Sequence, residues 1–261
     1  MEKLILLETD KDIALLTINR PEKRNALSPE LVDALSKQLI EISNNPAIKA
    51  VVITGSGSAF CAGADLAYLK TISQNSDSEN LADSKKLADL FAQLYQLNKL
   101  TIAMVNGPAL AGGFGLALCC DYIFAARETA KFGFTEVRIG FVPALVMNIL
   151  IRKIAPAVAL DLVLSSQIID AQGALEKQLI NKIFPEEILY CETLKFLEQF
   201  LTQNSFQAIQ ATKSLFQKLL DIPLKEGMQL AAEINAQSRK TDDCQNALKA
   251  FLNKQTIKWR E

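Results

Sequence analysis

The stretch Thr101 to Ala126, TIAMVNGPALAGGFGLALCCDYIFAA, decides the architecture. It opens on the apolar run Thr101 to Val105, of the kind buried in a parallel sheet, and breaks at Asn106-Gly107-Pro108. Gly112-Gly113 then lead into a wholly apolar helical segment, Phe114 to Cys120, and another strand follows at Tyr122 to Ala126. Strands alternating with helices in this way imply an α/β fold.

Upstream the pattern recurs. Ala50 to Thr54 is a second buried strand; Gly55-Ser56-Gly57-Ser58 ends it, and Ala62-Gly63-Ala64-Asp65 enters the next helix. Ser28-Pro29-Glu30 is a helix start, with Leu31, Leu35, Leu39 and Ile42 at helical spacing and Asn44-Asn45-Pro46 as the stop. Lys3 to Thr9 and Ile13 to Ile18 read as a hairpin about Asp10-Lys11-Asp12. Downstream, the polar segment Gln74 to Asn80 predicts a mobile loop ahead of a helix over Leu81 to Leu97. From about Asn204 strand signals vanish, and Phe206, Ile209, Leu215, Phe216, Leu219, Leu230 and Ile234 suggest helices with broad apolar faces. The division expected is a core over 1–203 and a helical subdomain over 204–261 that packs on the body or on another subunit.

Composition excludes several classes. The 261 residues are 49% hydrophobic and 22% charged, with a net charge of −1 from 28 basic and 29 acidic side chains, so nothing draws the chain as a whole to nucleic acid or anionic lipid. No apolar stretch approaches the ~20 residues that span a bilayer. Histidine is absent, which removes His-based triads, His metal sites and the usual neutral-pH base. The five cysteines contain no CxxC pair, so no metal site is expected and a reducing, cytoplasmic setting is.

Two glycine-rich junctions, Val51 to Leu66 and Val105 to Cys120, set free backbone N–H groups at the start of a helix, where negative charge is favoured. Either alone is equally what small residues produce when they let a helix approach a strand closely. A dinucleotide fingerprint after Gly55-Ser56-Gly57 fails, because its third glycine position holds Phe60, and no GK[ST] exists for a phosphate loop. The third feature is Phe132 to Pro143, FGFTEVRIGFVP, with Glu136 and Arg138 in apolar surroundings; by itself it also reads as a charged surface turn. Taken with two anion sites, a carboxylate whose pKa burial raises suggests proton transfer beside a thioester, its enolate held by N–H donors.

Asn25-Ala26-Leu27, Ala59-Phe60-Cys61-Ala62-Gly63-Ala64-Asp65-Leu66, Asn106 to Gly113 and Phe132-Gly133-Phe134-Thr135-Glu136, in this order and spacing, resemble the enoyl-CoA hydratase/isomerase, or crotonase, superfamily. The resemblance implies a crotonase-like spiral of ββα units over 1–203 and a C-terminal helical trimerisation region over 204–261, in homotrimers or dimers of trimers. It implies an oxyanion hole from the N–H groups of Ala62 and Gly112, and Glu136 as general acid/base. Coenzyme A would lie along Arg24, Ala26, Ala62, Ala64, Asp65 and Leu66, completed by Phe251 and Lys254 of the Ala-Phe-x-x-Lys segment, sometimes from a neighbouring subunit. Acyl-CoA is then the substrate and no separate cofactor or metal is implied. Hydratases of the family commonly carry a second glutamate, but its position here is Gly115. A branch resembling methylglutaconyl-CoA-type bacterial hydratases shares that glycine and the EVR-x-G-x-x-PA stretch of Glu136 to Ala144. The expected activity is hydration of a 2-enoyl-CoA; the alternatives are an enoyl-CoA isomerase working with one glutamate and a non-catalytic acyl-CoA-binding protein. Asp121 and the Cys119-Cys120 pair read as structural.

Overall fold

A computed structural model describes residues 3–72 and 74–260. They form two compact units, divided after residue 193, with residues 98–100 belonging to the second. The hairpin is present: β1 (Ile5–Asp10) and β2 (Ile13–Ile18) pair antiparallel from Ile5 opposite Ile18 to Asp10 opposite Ile13, turning through Lys11 at φ 53°. Helix α1 (Pro29–Asn44) follows, its N-terminus capped by the Ser28 side chain and its Leu31, Leu35, Leu39 and Ile42 face buried. Strand β3 (Ala50–Gly55) returns parallel to β2 and is buried at every position. So is β4 (Leu100–Val105).

Between them come α2 (Leu66–Ile72) and α3 (Asp77–Tyr95). The helix expected from Leu81 starts four residues earlier, because Ser76 and Glu79 form a capping box: the Ser76 side chain accepts from the Glu79 N–H while the Glu79 carboxylate accepts from the Ser76 N–H. The supposed loop is therefore partly the first turn of α3.

After β5 (Ala109–Leu110) comes α4 (Gly112–Leu118), shifted toward its glycines relative to the expected Phe114 to Cys120. Then follow β6 (Tyr122–Ala126), β7 (Lys131–Gly133), α5 (Ala144–Leu150), α6 (Pro156–Ser165), β8 (Ile169–Asp170), α7 (Ala171–Glu176), β9 (Lys182–Phe184) and α8 (Glu186–Gln203). A six-stranded sheet runs β1-β2-β3-β4-β6-β9, and a small second sheet runs β5-β7-β8. Phe114 of α4 sits 5.0 Å, centroid to centroid, from both Phe132 and Phe134, and all three rings are fully buried. This aromatic cluster fixes α4 against the segment that leads to Glu136.

The second unit carries α9 (Phe206–Leu219), α10 (Leu224–Ser238) and α11 (Asp242–Leu252). No strand follows Phe184 among the described residues. Nor is any helix among them long and apolar enough to cross a membrane.

Candidate active site

Residues 61 to 65 are laced between two other segments. On one side the Cys61 N–H donates to the Pro108 carbonyl (3.1 Å) and the Leu110 N–H to the Cys61 carbonyl (3.0 Å). On the other, the Leu27 N–H donates to the Gly63 carbonyl (2.7 Å) and the Asp65 N–H to the Leu27 carbonyl (3.0 Å). The Ala62 N–H is committed as well, donating to the Arg24 carbonyl at 3.0 Å. This corrects the expectation that Ala62 supplies a free donor: its amide already has an acceptor. Two residues on, the Ala64 N–H donates no hydrogen bond among the described residues, and Ala64 is exposed.

The Gly112 N–H opens α4 and is likewise without an acceptor, as expected for a first-turn amide. The turn that carries Ala64 lies against the start of α4: a Cβ built on Gly63 would stand 2.9 Å from the Ala111 Cβ and 3.6 Å from the Gly112 nitrogen. Gly63 has φ 92°, a conformation that glycine alone adopts without strain. Ala111 has φ 50° and ψ −125°, an unfavourable backbone for alanine, and that ψ sets the direction of the Gly112 N–H.

Glu136 follows the small sheet that is bonded to the same turn. Ala109 and Leu110 pair with Phe132 and Gly133, the Ala111 N–H donates to the Gly133 carbonyl (2.8 Å), and Glu136 begins the 3-10 turn Glu136–Ile139 three residues later. Gly140 closes the turn at φ 74°. Glu136 is 8% exposed, and its Oε2 is buried without a hydrogen-bond partner among the described residues. Burial pushes the carboxyl above its ordinary value, against the smaller opposing effect of the Glu136 and Thr135 backbone. A buried carboxyl with one unpartnered oxygen and a raised proton affinity has the character of a group that takes and returns a proton.

Position 115 is closed. A Cβ on Gly115 would stand 2.4 Å from Val146 Cγ1 and 3.1 Å from the Phe91 ring, so apolar side chains occupy the space a second carboxylate would need. Cys61 is no nucleophile, since burial pushes its thiol up to about 12. Asp121 accepts from the Thr101 N–H (2.8 Å) and hydroxyl (2.9 Å), as a structural residue would.

Of the residues expected along coenzyme A, Arg24 is exposed at φ 50°, and Ala26 is buried, its carbonyl taken by Arg20. Asp65 is turned inward: Oδ2 pairs with Arg20 at 3.1 Å, and Oδ1 accepts from the Ala67 (3.0 Å) and Tyr68 (3.4 Å) amides that start α2. Burial alone would raise the Asp65 carboxyl, but Arg20 and these two amides outweigh it and hold it low. The Leu66 side chain lies outside the described residues. Phe251 and Lys254 belong to the second unit, at the end of α11, with Phe251 80% exposed and Lys254 left-handed at φ 55°. No trio of Cys, Asp or Glu placed to hold a metal ion occurs among the described residues.

Sequence reading missed Ala64 as the free donor and missed Arg20. The only signal for Arg20 was its place five residues before Asn25, in Asn19-Arg20-Pro21.

The family model for enoyl-CoA hydratase/isomerase matches residues 8–261, nearly the whole chain. The chain belongs to the enoyl-CoA hydratase/isomerase family. A Thermus thermophilus protein bearing an enoyl-CoA hydratase name is 41% identical over 242 residues, 93% of this chain and 95% of its own. An Escherichia coli protein named 2,3-dehydroadipyl-CoA hydratase is 32% identical over 253 residues, covering 97% of this chain and 96% of its own. The crystal structure of a Legionella pneumophila protein described as an enoyl-CoA hydratase/isomerase (crotonase) superposes with a TM-score of 0.89 at 34% identity, over 98% of this chain and 99% of that one. The α/β architecture expected from the motifs is thus that of solved enoyl-CoA hydratase/isomerase structures.

Proposed function

We propose that the chain is an enoyl-CoA hydratase that adds water across a 2-enoyl-CoA thioester, with Ala64 and Gly112 as the oxyanion donors and Glu136 as the acid/base. Glu136 carries this reading: it is a buried carboxyl with an unpartnered oxygen, three residues beyond the strand that is bonded to Ala111. In the reaction the Glu136 carboxylate takes a proton from water as the water oxygen bonds to C3. The C2=C3 π electrons move toward the thioester carbonyl, giving an enolate whose oxygen accepts from the Ala64 and Gly112 N–H groups. The same carboxyl then returns the proton to C2, so one molecule of water is added and the enzyme is unchanged. Arg24, Ala26, Ala64, Asp65 and Leu66 would line the coenzyme A path, and Phe251 and Lys254 would complete it from a neighbouring subunit. Asp65 would contribute by shaping the turn, since its carboxylate and its N–H are both engaged internally.

An enoyl-CoA isomerase is the second reading, favoured by the apolar closure of Gly115: one carboxylate suffices to move a proton between C2 and C4, whereas hydration with one must also hold water. The substrate branch resembling methylglutaconyl-CoA rests on the Glu136 to Ala144 stretch. Incubation with crotonyl-CoA, 3-methylglutaconyl-CoA and a 3-enoyl-CoA separates these. Loss of enoyl-thioester absorbance with either of the first two is expected. A gain with the third alone supports the isomerase, and binding without turnover of any of them supports a non-catalytic acyl-CoA carrier.

The reading also includes a cytoplasmic location, supported by five free cysteines, and a homotrimer or dimer of trimers. Large apolar side chains standing exposed on the second unit support assembly, among them Leu224 (82%), Phe251 (80%), Leu252 (78%) and Met228 (65%). Light scattering at micromolar concentration should give three or six times the mass of one chain, and a clean monomer would sink both the assembly and the cross-subunit role of Phe251 and Lys254.

A further inference from the structure

We propose that Arg20 is a positioning residue for the oxyanion donors, fixing Ala64 by clamping the turn that carries it to the Asn25-Ala26-Leu27 segment. The inference rests on the hydratase reading. Arg20 is largely buried, 14% exposed at its side chain, and its guanidinium spans two segments: Nη1 donates to the Ala26 carbonyl at 2.6 Å, and Nη2 to Asp65 Oδ2 at 3.1 Å. Its backbone is fixed too, the N–H donating to Asn25 Oδ1 (2.8 Å) and the carbonyl accepting from Asn25 (2.9 Å) and Lys23 (3.0 Å). Asn25 in turn, fully buried, donates to the Ser56 and Ala59 carbonyls.

Ala64 sits between three backbone hydrogen bonds to residues 24 to 27 and the Asp65 carboxylate that Arg20 holds. The Gly63 carbonyl, which shares a peptide plane with the Ala64 N–H, accepts from Leu27, and the Arg20–Asp65 pair braces the same turn on the far side of Ala64. A donor preorganised toward the forming oxyanion acts in the transition state more than on the bound substrate. Loosening it therefore lowers kcat with little change in KM. Lysine carries the charge but not the fork, and reaches one of the two acceptors at a time.

The test compares wild type, Arg20→Lys, Arg20→Gln and Asp65→Asn, the last keeping an oxygen to cap α2 while removing the ion pair. Each is assayed with crotonyl-CoA, and each is bound to butyryl-CoA carrying ¹³C at the thioester carbonyl for difference infrared spectroscopy. A preorganised hole shifts that carbonyl stretch to lower wavenumber. Arg20→Gln is expected to lose most of the shift and to lower kcat on the order of 10- to 100-fold, with KM within about threefold. Arg20→Lys should fall between it and wild type, and Arg20→Gln combined with Asp65→Asn should be no worse than the poorer single variant. Variants that keep the full carbonyl shift and kcat, whatever their melting temperature, overturn the inference alone. Absence of the shift in wild type overturns the hydratase reading and this inference with it. If Arg20→Gln does not fold, Asp65→Asn carries the same comparison.

Discussion

Replacing Glu136 by Gln is expected to lower kcat/KM for enoyl-CoA hydration by about 10²- to 10⁴-fold, the usual contribution of a positioned acid/base. The amide keeps the shape and the burial but can neither take a proton from water nor give one to C2. Affinity for the coenzyme A ester should stay close to wild type, because the residues along its expected path are untouched. A variant retaining more than about half of the activity would remove Glu136 from the proton-transfer role. The same substitution has a stability signature of defined sign. The folded-state pKa of Glu136 is raised above the ordinary value of 4.5, so the stability tied to this group is fully present below that value and is lost as pH rises through the raised one. Above the raised pKa the wild type holds an ionised carboxylate in a buried place with one oxygen unpartnered, a cost the neutral amide avoids. The melting temperature of Glu136→Gln should therefore exceed wild type at pH above the raised pKa, the difference closing below 4.5.

What could be read from the sequence follows from how local each cause is. The strands at 50–55 and 100–105 announce themselves because burial at every position, on both faces, demands a continuous apolar run. Strands β5, β7 and β8 are two or three residues long and have no period to read, yet they carry Ala111 to Gly133 and so bring Glu136 to the glycine-rich turn. The start of α3 was legible in Ser76 and Glu79, a capping box hidden inside a polar stretch. The choice between Ala62 and Ala64 was not: both lie in the same motif, and what separates them is the Arg24 carbonyl, 38 positions away in sequence, which takes the Ala62 amide. Arg20 is further out of reach, since its carboxylate partner is 45 residues downstream. Residue types mark where free amides and carboxyls gather, and only the folded chain says which are already spent.

Replacing Gly113 by Ala should cost the fold more than about 3 kcal/mol, above the usual range for overpacking, because the added carbon meets backbone that cannot swing aside. A Cβ at Gly113 would stand 2.1 Å from the Cys61 carbonyl oxygen and 2.8 Å from the Cys61 carbonyl carbon and Cβ. Propensity pulls the other way, since alanine in a helix interior is favoured over glycine by up to about 1 kcal/mol. The clash decides the sign: the carbonyl it displaces accepts from the Leu110 N–H and holds residues 61 to 65 beside 109 to 112. Denaturant unfolding should show the loss, and turnover should fall with it, because the displaced segment carries Ala64 away from Gly112. Gly227→Ala, inside α10, is the matched control. There the new carbon meets only side chains, the far end of the flexible Leu219 (Cδ2 at 3.0 Å) and Ile222 at ordinary contact distance (3.8 and 3.9 Å), so propensity is expected to win or break even. Equal stability changes at positions 113 and 227 would mean that the 61–65 segment yields as readily as a side chain, and that its lacing does not hold the two amides in place.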